Sequence, residues 1–328
     1  MATLRAGLIG LGSMGRHHAR LLRQLDGVEL VAVADAVGDS HGVAGGLPLG
    51  SDVEHLIAAN IDMAVVAVPT AEHERVGLAL AEAGVHAMVE KPIAATSEAG
   101  RKVAQAFASA GLVGAVGHVE RFNPALQELR RRMEGGELGE IYQIATRRQS
   151  TFPARISDVG VIKDLATHDI DLTAWVAQSG YSAISAQTAH RSGRPHEDMV
   201  IATGRLANGV IVNHVVNWLS PMKERVTVVT GERGAFTVDT STGDLTFYAN
   251  GDIPTEWDVV STFRGVSEGD ITRYAFAKRE PLRLEHEAFR DAVLGVRNDV
   301  VTMEEGLRTL EVAEAALESA RSGRTIGL

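Results

Sequence analysis

Along the first 119 residues, short uninterrupted apolar runs alternate with stretches whose apolar residues recur every three or four positions. The runs LRAGLIG, VELVAVAD, IDMAVVAV, VHAMVE and LVGAVGHV are rich in valine, alanine and isoleucine and read as strands buried on both faces. The periodic stretches at 13–25, 51–59, 71–83 and 97–110 read as the helices between them. Strand and helix in turn predict a parallel sheet wrapped by helices, with right-handed crossovers.

After about residue 120 the pattern changes. RFNPALQELRRRMEGG predicts a helix opened near Pro124 and closed by Gly135 and Gly136. Seven strand-like segments follow: IYQIATRRQST, SAISAQTAH, EDMVIATGRL, GVIVNHVVNWL, ERVTVVTG, GAFTVDT and DLTFYAN. Their short turns, ANG, GERG and STG, suit hairpins, which predicts a mainly antiparallel sheet. Between the first two segments lies VIKDLATHDIDLTAWV, residues 161–176, with apolar residues at helical spacing and Asp164, His168 and Asp171 on one stripe. Two further helices are expected at 282–296 and 303–321. The polar connection 251–280 reads as a lid or rim. A sheet with so few helices leaves one face open, and that face predicts a homodimer or homotetramer.

At 328 residues with 45% hydrophobic side chains, the chain fits two globular domains. No apolar run reaches membrane-spanning length, and the N-terminus lacks the pattern of a secretory leader, so a cytoplasmic protein without membrane contact is expected. The absence of cysteine excludes disulfides, thiolate metal sites and cysteine nucleophiles. Thirty-two basic residues against forty-two acidic give a net charge of −10, which opposes binding to nucleic acid. An anionic ligand therefore needs a local pocket of positive charge.

The first strand runs into GLGSMG, with Gly10, Gly12 and Gly15 in dinucleotide-binding spacing and Ser13 and Met14 between the last two. The first glycine permits the tight turn, the second lets backbone approach a pyrophosphate, and the third lets helix and strand pack closely. A glycine-rich turn without a ligand is the alternative that the motif alone leaves open. Asp35, at the end of the next strand and twenty residues beyond Gly15, adds context, since an acid there accepts hydrogen bonds from a ribose and repels a 2′-phosphate. AVGDS, just beyond it, holds no basic residue. NAD is therefore expected rather than NADP. The fourth strand leads into VPT and the fifth into VEKP, at the strand ends where open α/β sheets place ligands. Pro69, Thr70, His73, Glu90 and Lys91 are thus candidate cofactor contacts. Lys91 can also reach into the substrate space; its alternative is a surface lysine before a rigid turn. The fold class is α/β plus α+β: a Rossmann doubly wound parallel sheet over 1–119, and a domain on a mainly antiparallel sheet over 120–328, expected to bind substrate and form the oligomer.

As a whole the chain resembles the Gfo/Idh/MocA oxidoreductases, the family of glucose-fructose oxidoreductase and inositol dehydrogenase. The resemblance covers nearly the full length and rests on GLIGLGSMGRHHA, VEKPIA, VGHVERFNPA and DLATHDIDL, in that order. It implies that Lys91, Asp164 and His168 form a site that oxidises a sugar or polyol hydroxyl with NAD. The chemistry agrees: hydride removal from an alcohol needs a base for the proton, which imidazole suits, and positive charge for the developing alkoxide, which lysine suits. Asp164 would orient the imidazole or support the lysine. No metal is expected. The polar alternatives are a histidine satisfying a helix-to-sheet contact and two solvated aspartates. A role for Asp171 does not follow from the resemblance. Relatives often place a glycine run before the aspartate, whereas DVGVIKD holds Gly160 alone.

GHVERFNPA and RRQSTFPARISDVGV look more like the family's nucleotide-sugar dehydrogenases than its inositol branch. Asn123 and Arg155 join Lys91, Asp164 and His168 as expected substrate contacts. Arg147 and Arg148 lie on opposite faces of a strand and cannot both serve one pocket. Arg155, in the loop beyond Pro153, is the better partner for a diphosphate; the alternative for all three is pairing with surface acids. Two other functions stay open: an inositol or free-sugar dehydrogenase, and a cofactor-sensing regulatory protein without turnover. The intact Lys91, Asp164 and His168 argue against the second.

Overall fold

The computed structural model describes residues 3–153, 159–251 and 267–328. The chain divides into two compact units, Met1–Val119 with Glu280–Glu314, and Glu120–Arg279 with Ala315–Leu328. Hydropathy alone keeps everything beyond 120 together. The segment from Glu280 joins the first unit because its residues pack there.

The first unit holds six strands, β1 (Leu4–Ile9), β2 (Val28–Ala34), β3 (Leu49–Gly50), β4 (Met63–Val66), β5 (His86–Glu90) and β6 (Gly114–Gly117), in the order β3-β2-β1-β4-β5-β6. All neighbours are parallel. Helices α1 (Gly15–Leu22), α2 (Val53–Ala58), α3 (His73–Glu82) and α4 (Ser97–Ser109) connect them. The strand order reverses between β1 and β4, which opens a crevice at their C-terminal ends. Ala64, Val66, Leu80, Val89, Val103 and Phe107 form part of one buried core, as strands covered on both faces require. Two later helices, α7 (Pro281–Val293) and α8 (Met303–Ser322), bear on this unit. α7 packs on α1. Ahead of α8 the chain covers the edge of β6, where the Val116 N–H donates to the Val301 carbonyl at 2.8 Å. Within α8, a Cβ on Gly306 would stand 2.5 Å from Val116, so glycine permits the approach.

In the second unit, α5 (Pro124–Glu134) precedes β7 (Ile141–Thr151), and α6 (Thr167–Ala177) follows a wide π-helical turn at Ile162–Ala166. The remaining strands are β8 (Tyr181–Ala189), β9 (Met199–Leu206), β10 (Ile211–Asn217), β11 (Leu219–Gly231), β12 (Gly234–Asp239), β13 (Asp244–Gly251), β14 (Ser267–Arg273) and β15 (Ile326–Gly327). Their order is β14-β13-β12-β11-β7-β10-β9-β8-β15. Every pair is antiparallel except β7 with β10. The expected hairpins form at the three short turns, but β7 does not pair with β8, the next strand in sequence. One sheet face buries Ile144, Val212, Val229, Phe236 and Val238, with α5 packed on β12 and β13 and α6 on β7. The other face leaves Ile201, Ile211 and Tyr248 about half exposed and Ile271 66% exposed. Among the described residues, no helix is long and apolar enough to cross a membrane.

Candidate active site

The glycine loop after β1 is fixed by contact at two positions and open at the third. Gly10 has φ +92°, and a Cβ there would lie 2.4 Å from the Ala67 carbonyl; a Cβ on Gly15 would lie 1.9 Å from the Gly10 oxygen. A Cβ on Gly12 would meet nothing within 4 Å, which leaves room for a pyrophosphate against the backbone. Ser13 is exposed, Met14 half-buried, and the His18 N–H bonds back to the Met14 carbonyl as α1 begins. Asp35 accepts from the Leu11 N–H at 2.7 Å and from the Val37 N–H at 2.8 Å. Its carboxylate thus ties the glycine loop to the end of β2. A hollow lined by Asp35, Gly38, Leu49, Gly50 and His55 adjoins it. These residues fit a dinucleotide.

At the ends of β4 and β5 the outcome is mixed. Pro69 is exposed and Thr70 half-buried on the turn into α3. His73, expected among the cofactor contacts, is instead a strut: it is 1% exposed, and its ring nitrogens lie 2.8 Å from the Pro92 carbonyl and 3.0 Å from the Val68 carbonyl, joining the two turns. Glu90 turns its carboxylate to His18 at 2.9 Å and to the Lys91 N–H at 3.2 Å. Lys91 itself is half-buried.

In the second unit, the start of the 161–176 segment is set by a residue with no local signal, Glu197. Its carboxylate accepts from the Ile162 N–H at 3.0 Å, and its backbone carbonyl from the Val161 N–H at 3.0 Å. A Cβ on Gly160 would lie 2.1 Å from that carboxylate, which explains the single glycine. Asp164 is buried in the wide turn and His168 is half-buried on α6. Asp164 lies in the wide turn, whereas His168 and Asp171 share α6. Asp171 is 1% exposed and takes a two-pronged ion pair from Arg121, Nε at 2.8 Å and Nη2 at 2.7 Å, so it braces the helix. Asp169, also buried, pairs with Arg148, which bonds Glu120 as well. Arg225, 37% exposed, feels the charges of Arg148, Glu120, Asp169 and Asp164.

Asn123, expected to meet the substrate, is instead the cap of α5: it accepts from the Ala125 N–H and donates to the Thr240 carbonyl. Arg147 pairs with Glu224. Arg155 and residues 252–266 of the 251–280 connection lie outside the described residues; Ser267–Arg273, expected to be part of a polar connection, instead form β14 against β13. Arg194, which the sequence did not single out, stacks 4.3 Å over Phe152 and 5.2 Å from the Trp218 ring, and donates to the Val159 carbonyl just ahead of Gly160. Its Nη1 is buried with no hydrogen-bond partner among the described residues, and so is the Trp218 Nε1.

A buried chain holds α6 to the sheet. Thr173 donates to helix carbonyls, so it accepts from the Tyr181 hydroxyl at 2.6 Å. Tyr181 then accepts from His214 Nε2 at 2.8 Å, and His214 Nδ1 accepts from Thr146 at 2.7 Å. Burial pushes the His214 imidazole down to about 4. The unfolded chain, with histidine near 6.5, therefore binds the proton first as pH falls. Stability is expected to hold above neutral pH and to drop by about 3 kcal/mol between pH 6.5 and 4 through this residue. Urea unfolding reads it: His214→Gln should be less stable at pH 7.5 yet lose less on acidification, and an unchanged slope would refute the assignment.

Loop, acid and sheet order in the first unit, with the braced helix in the second, define a two-unit dinucleotide-binding protein. The chain belongs to the Gfo/Idh/MocA oxidoreductase family: the family's NAD-binding Rossmann fold matches residues 4–118 and its C-terminal alpha/beta domain residues 130–328. It is 34% identical over 222 residues to inositol 2-dehydrogenase 2 of Saccharopolyspora erythraea, covering 64% of this chain and 66% of that protein. It thus spans about two thirds of the length of that relative. It is 27% identical over 301 residues to UDP-N-acetylglucosamine 3-dehydrogenase of Acidithiobacillus ferrooxidans, covering 90% and 91%. The solved structure of that enzyme matches with a TM-score of 0.83 and 25% identity over 98% of this chain and 99% of that one. The WlbA dehydrogenase from Bordetella pertussis, solved with NADH and UDP-GlcNAcA, matches with a TM-score of 0.81 and 26% identity over 99% of both chains.

Proposed function

We propose that the protein is an NAD-dependent dehydrogenase that oxidises a secondary hydroxyl of a nucleoside-diphosphate sugar, such as a UDP-N-acetylhexosamine or its uronate. Arg194 carries the substrate assignment: an aromatic-stacked guanidinium at the head of the catalytic segment, with a buried N–H that has no hydrogen-bond partner among the described residues. Nearly full-length likeness to two nucleotide-sugar dehydrogenases supports the same reading. His168 takes the hydroxyl proton, Lys91 stabilises the alkoxide, and Asp164 orients the imidazole. Gly10, Gly12, Gly15 and Asp35 hold the cofactor, with NAD preferred because Asp35 repels a 2′-phosphate. NAD, when bound, accepts the hydride from the carbinol carbon. The half-exposed apolar face around Ile201, Ile211 and Tyr248 forms the interface of a homodimer or homotetramer.

An inositol substrate is the second reading, favoured by the 34% identity to an inositol 2-dehydrogenase. Following reduction of NAD, and of NADP in parallel, with UDP-N-acetylglucosamine, its uronate, myo-inositol and free hexoses separates the two. The expected result is the highest kcat/KM with a nucleotide sugar and NAD. Arg194→Met is expected to raise that KM about tenfold and leave inositol kinetics alone. A better rate with inositol or a free sugar overturns the substrate, and equal use of NADP overturns the cofactor preference. Sedimentation of the same sample as a monomer would overturn the oligomer.

A further inference from the structure

Beneath the turn that carries Lys91 lies a buried chain of three titratable side chains drawn from β5, α1 and α7. Glu90 Oε1 is 2.9 Å from His18 Nε2, and His18 Nδ1 is 2.9 Å from His286 Nε2. Both imidazoles are fully buried and meet edge to face, with centroids 5.1 Å apart. Gly117 makes room, since a Cβ there would already stand 3.3 Å from the Glu90 carboxylate. The other carboxylate oxygen accepts the Lys91 N–H.

The positions of the protons follow from what each atom can do. An ionised carboxylate only accepts, so His18 Nε2 carries hydrogen. With His18 neutral, its Nδ1 is a lone pair, and His286 Nε2 must donate to it. His286 Nδ1 is then bare, and it is buried with no hydrogen-bond partner among the described residues. The opposite order, with both nitrogens of His18 protonated, would force the hydrogen of His286 onto Nδ1. That leaves an orphaned N–H in the core, a rarer and costlier defect than a bare acceptor. Burial first, and the charge of Arg20 beyond it, keep His286 well below the usual histidine value.

We infer that His286 and His18 are positioning residues, a one-way donor chain from His286 to His18 to Glu90 that locks the Glu90 carboxylate against the Lys91 backbone and so fixes where the lysine starts. The inference rests on the assignment of Lys91 to the alkoxide. A role of this kind is felt in turnover and not in cofactor affinity, because the glycine loop and Asp35 are untouched. Loss of a partner that orients a metal-ligating side chain lowers activity by about ten- to a hundredfold, and a loss at the lower end of that scale is expected for a positioning chain of this kind.

Two measurements test it. In the unaltered protein, long-range proton–nitrogen NMR of the histidines should show His286 protonated at Nε2 and not at Nδ1; the reverse overturns the chain. This readout is independent of activity, so it stands even if Lys91→Ala proves active and the assignment of Lys91 fails. Next, His286→Leu is expected to lower kcat about tenfold with an unchanged Kd for NAD, while His286→Gln, which keeps an N–H near the Nε2 position, recovers to within about threefold. Wild-type kcat in His286→Leu overturns the inference, as does equal loss of kcat and thermal stability in both variants. Should the leucine variant fail to fold, the glutamine variant and the spectrum still decide: a tenfold loss in His286→Gln at unchanged stability counts against it.

Discussion

Lys91→Ala and His168→Ala are each expected to lower kcat by about a hundredfold or more, with little change in the Kd for NAD. The reason lies in timing. In the proposed mechanism neither group does much for the resting alcohol; the imidazole would work as the proton leaves, and the ammonium as negative charge gathers on oxygen. Interactions made only at that moment appear in kcat. Asp164→Asn should cost less, since an amide can still orient a ring it no longer charges. Single-turnover and steady-state kinetics at saturating NAD check this. Near-normal turnover in His168→Ala across pH would remove the histidine as base and leave Lys91 as the candidate.

The largest effect on stability is expected from Arg148→Met. Arg148 sits between two carboxylates, with Nη1 2.9 Å from Glu120 and Nε 3.0 Å from Asp169, and all three side chains are at least nine-tenths buried. Burial already pushes the Asp169 carboxyl up, even with the guanidinium beside it. Burial pushes Glu120 up as well, but Arg148 foremost, with Arg225 and Thr240, holds it below its usual value. Removing the cation leaves Asp169 without its hydrogen-bonded partner and Glu120 with only the part-exposed Arg225 at 3.6 Å, at a cost of about 3–5 kcal/mol. The pH dependence has a definite sign. In the variant these carboxyls titrate above their unfolded values, so protonation favours the folded state and the deficit shrinks as pH falls. Urea midpoints at pH 7.5 and 5 read it, and a deficit that stays constant or grows on acidification would refute the account.

What the sequence discloses and what it withholds divide along local and distant causes. The first sheet is legible because strands buried on both faces write themselves as apolar runs, and Gly10 and Gly15 are legible because sterics admit nothing else. Asn123 carried a readable signal, an asparagine directly before a proline at a helix start, which marks a cap. Asp171 misled for the opposite reason. A helical pattern counts an acid as a solvent position, yet its partner lies 50 residues away, at Arg121, and Asp169, which the sequence did not single out, pairs 21 residues away with Arg148, where no periodicity can see either. Glu197 is hidden in the same way, 35 residues beyond the N–H it receives. His73 has no local mark at all, because its two carbonyl partners exist only once the turns after β4 and β5 are side by side.

The one parallel pair in the second sheet bears on the order in which the protein can be made. β7 finds its partners late: Gln143 reaches Asn213, 70 positions on, and Gln149 reaches Glu224, 75 positions on. During synthesis, β7 and the helix behind it must leave the ribosome well before either neighbour exists, with Arg148 and Asp169 lacking a sheet to bury them. The first unit waits longer still, since the segment covering the edge of β6 begins at Glu280. Vectorial translation thus delivers neither unit whole until nearly all of the chain has emerged. Loop closures of this span are slow to search, which makes the nascent chain, rather than the finished protein, the state most exposed to mispairing.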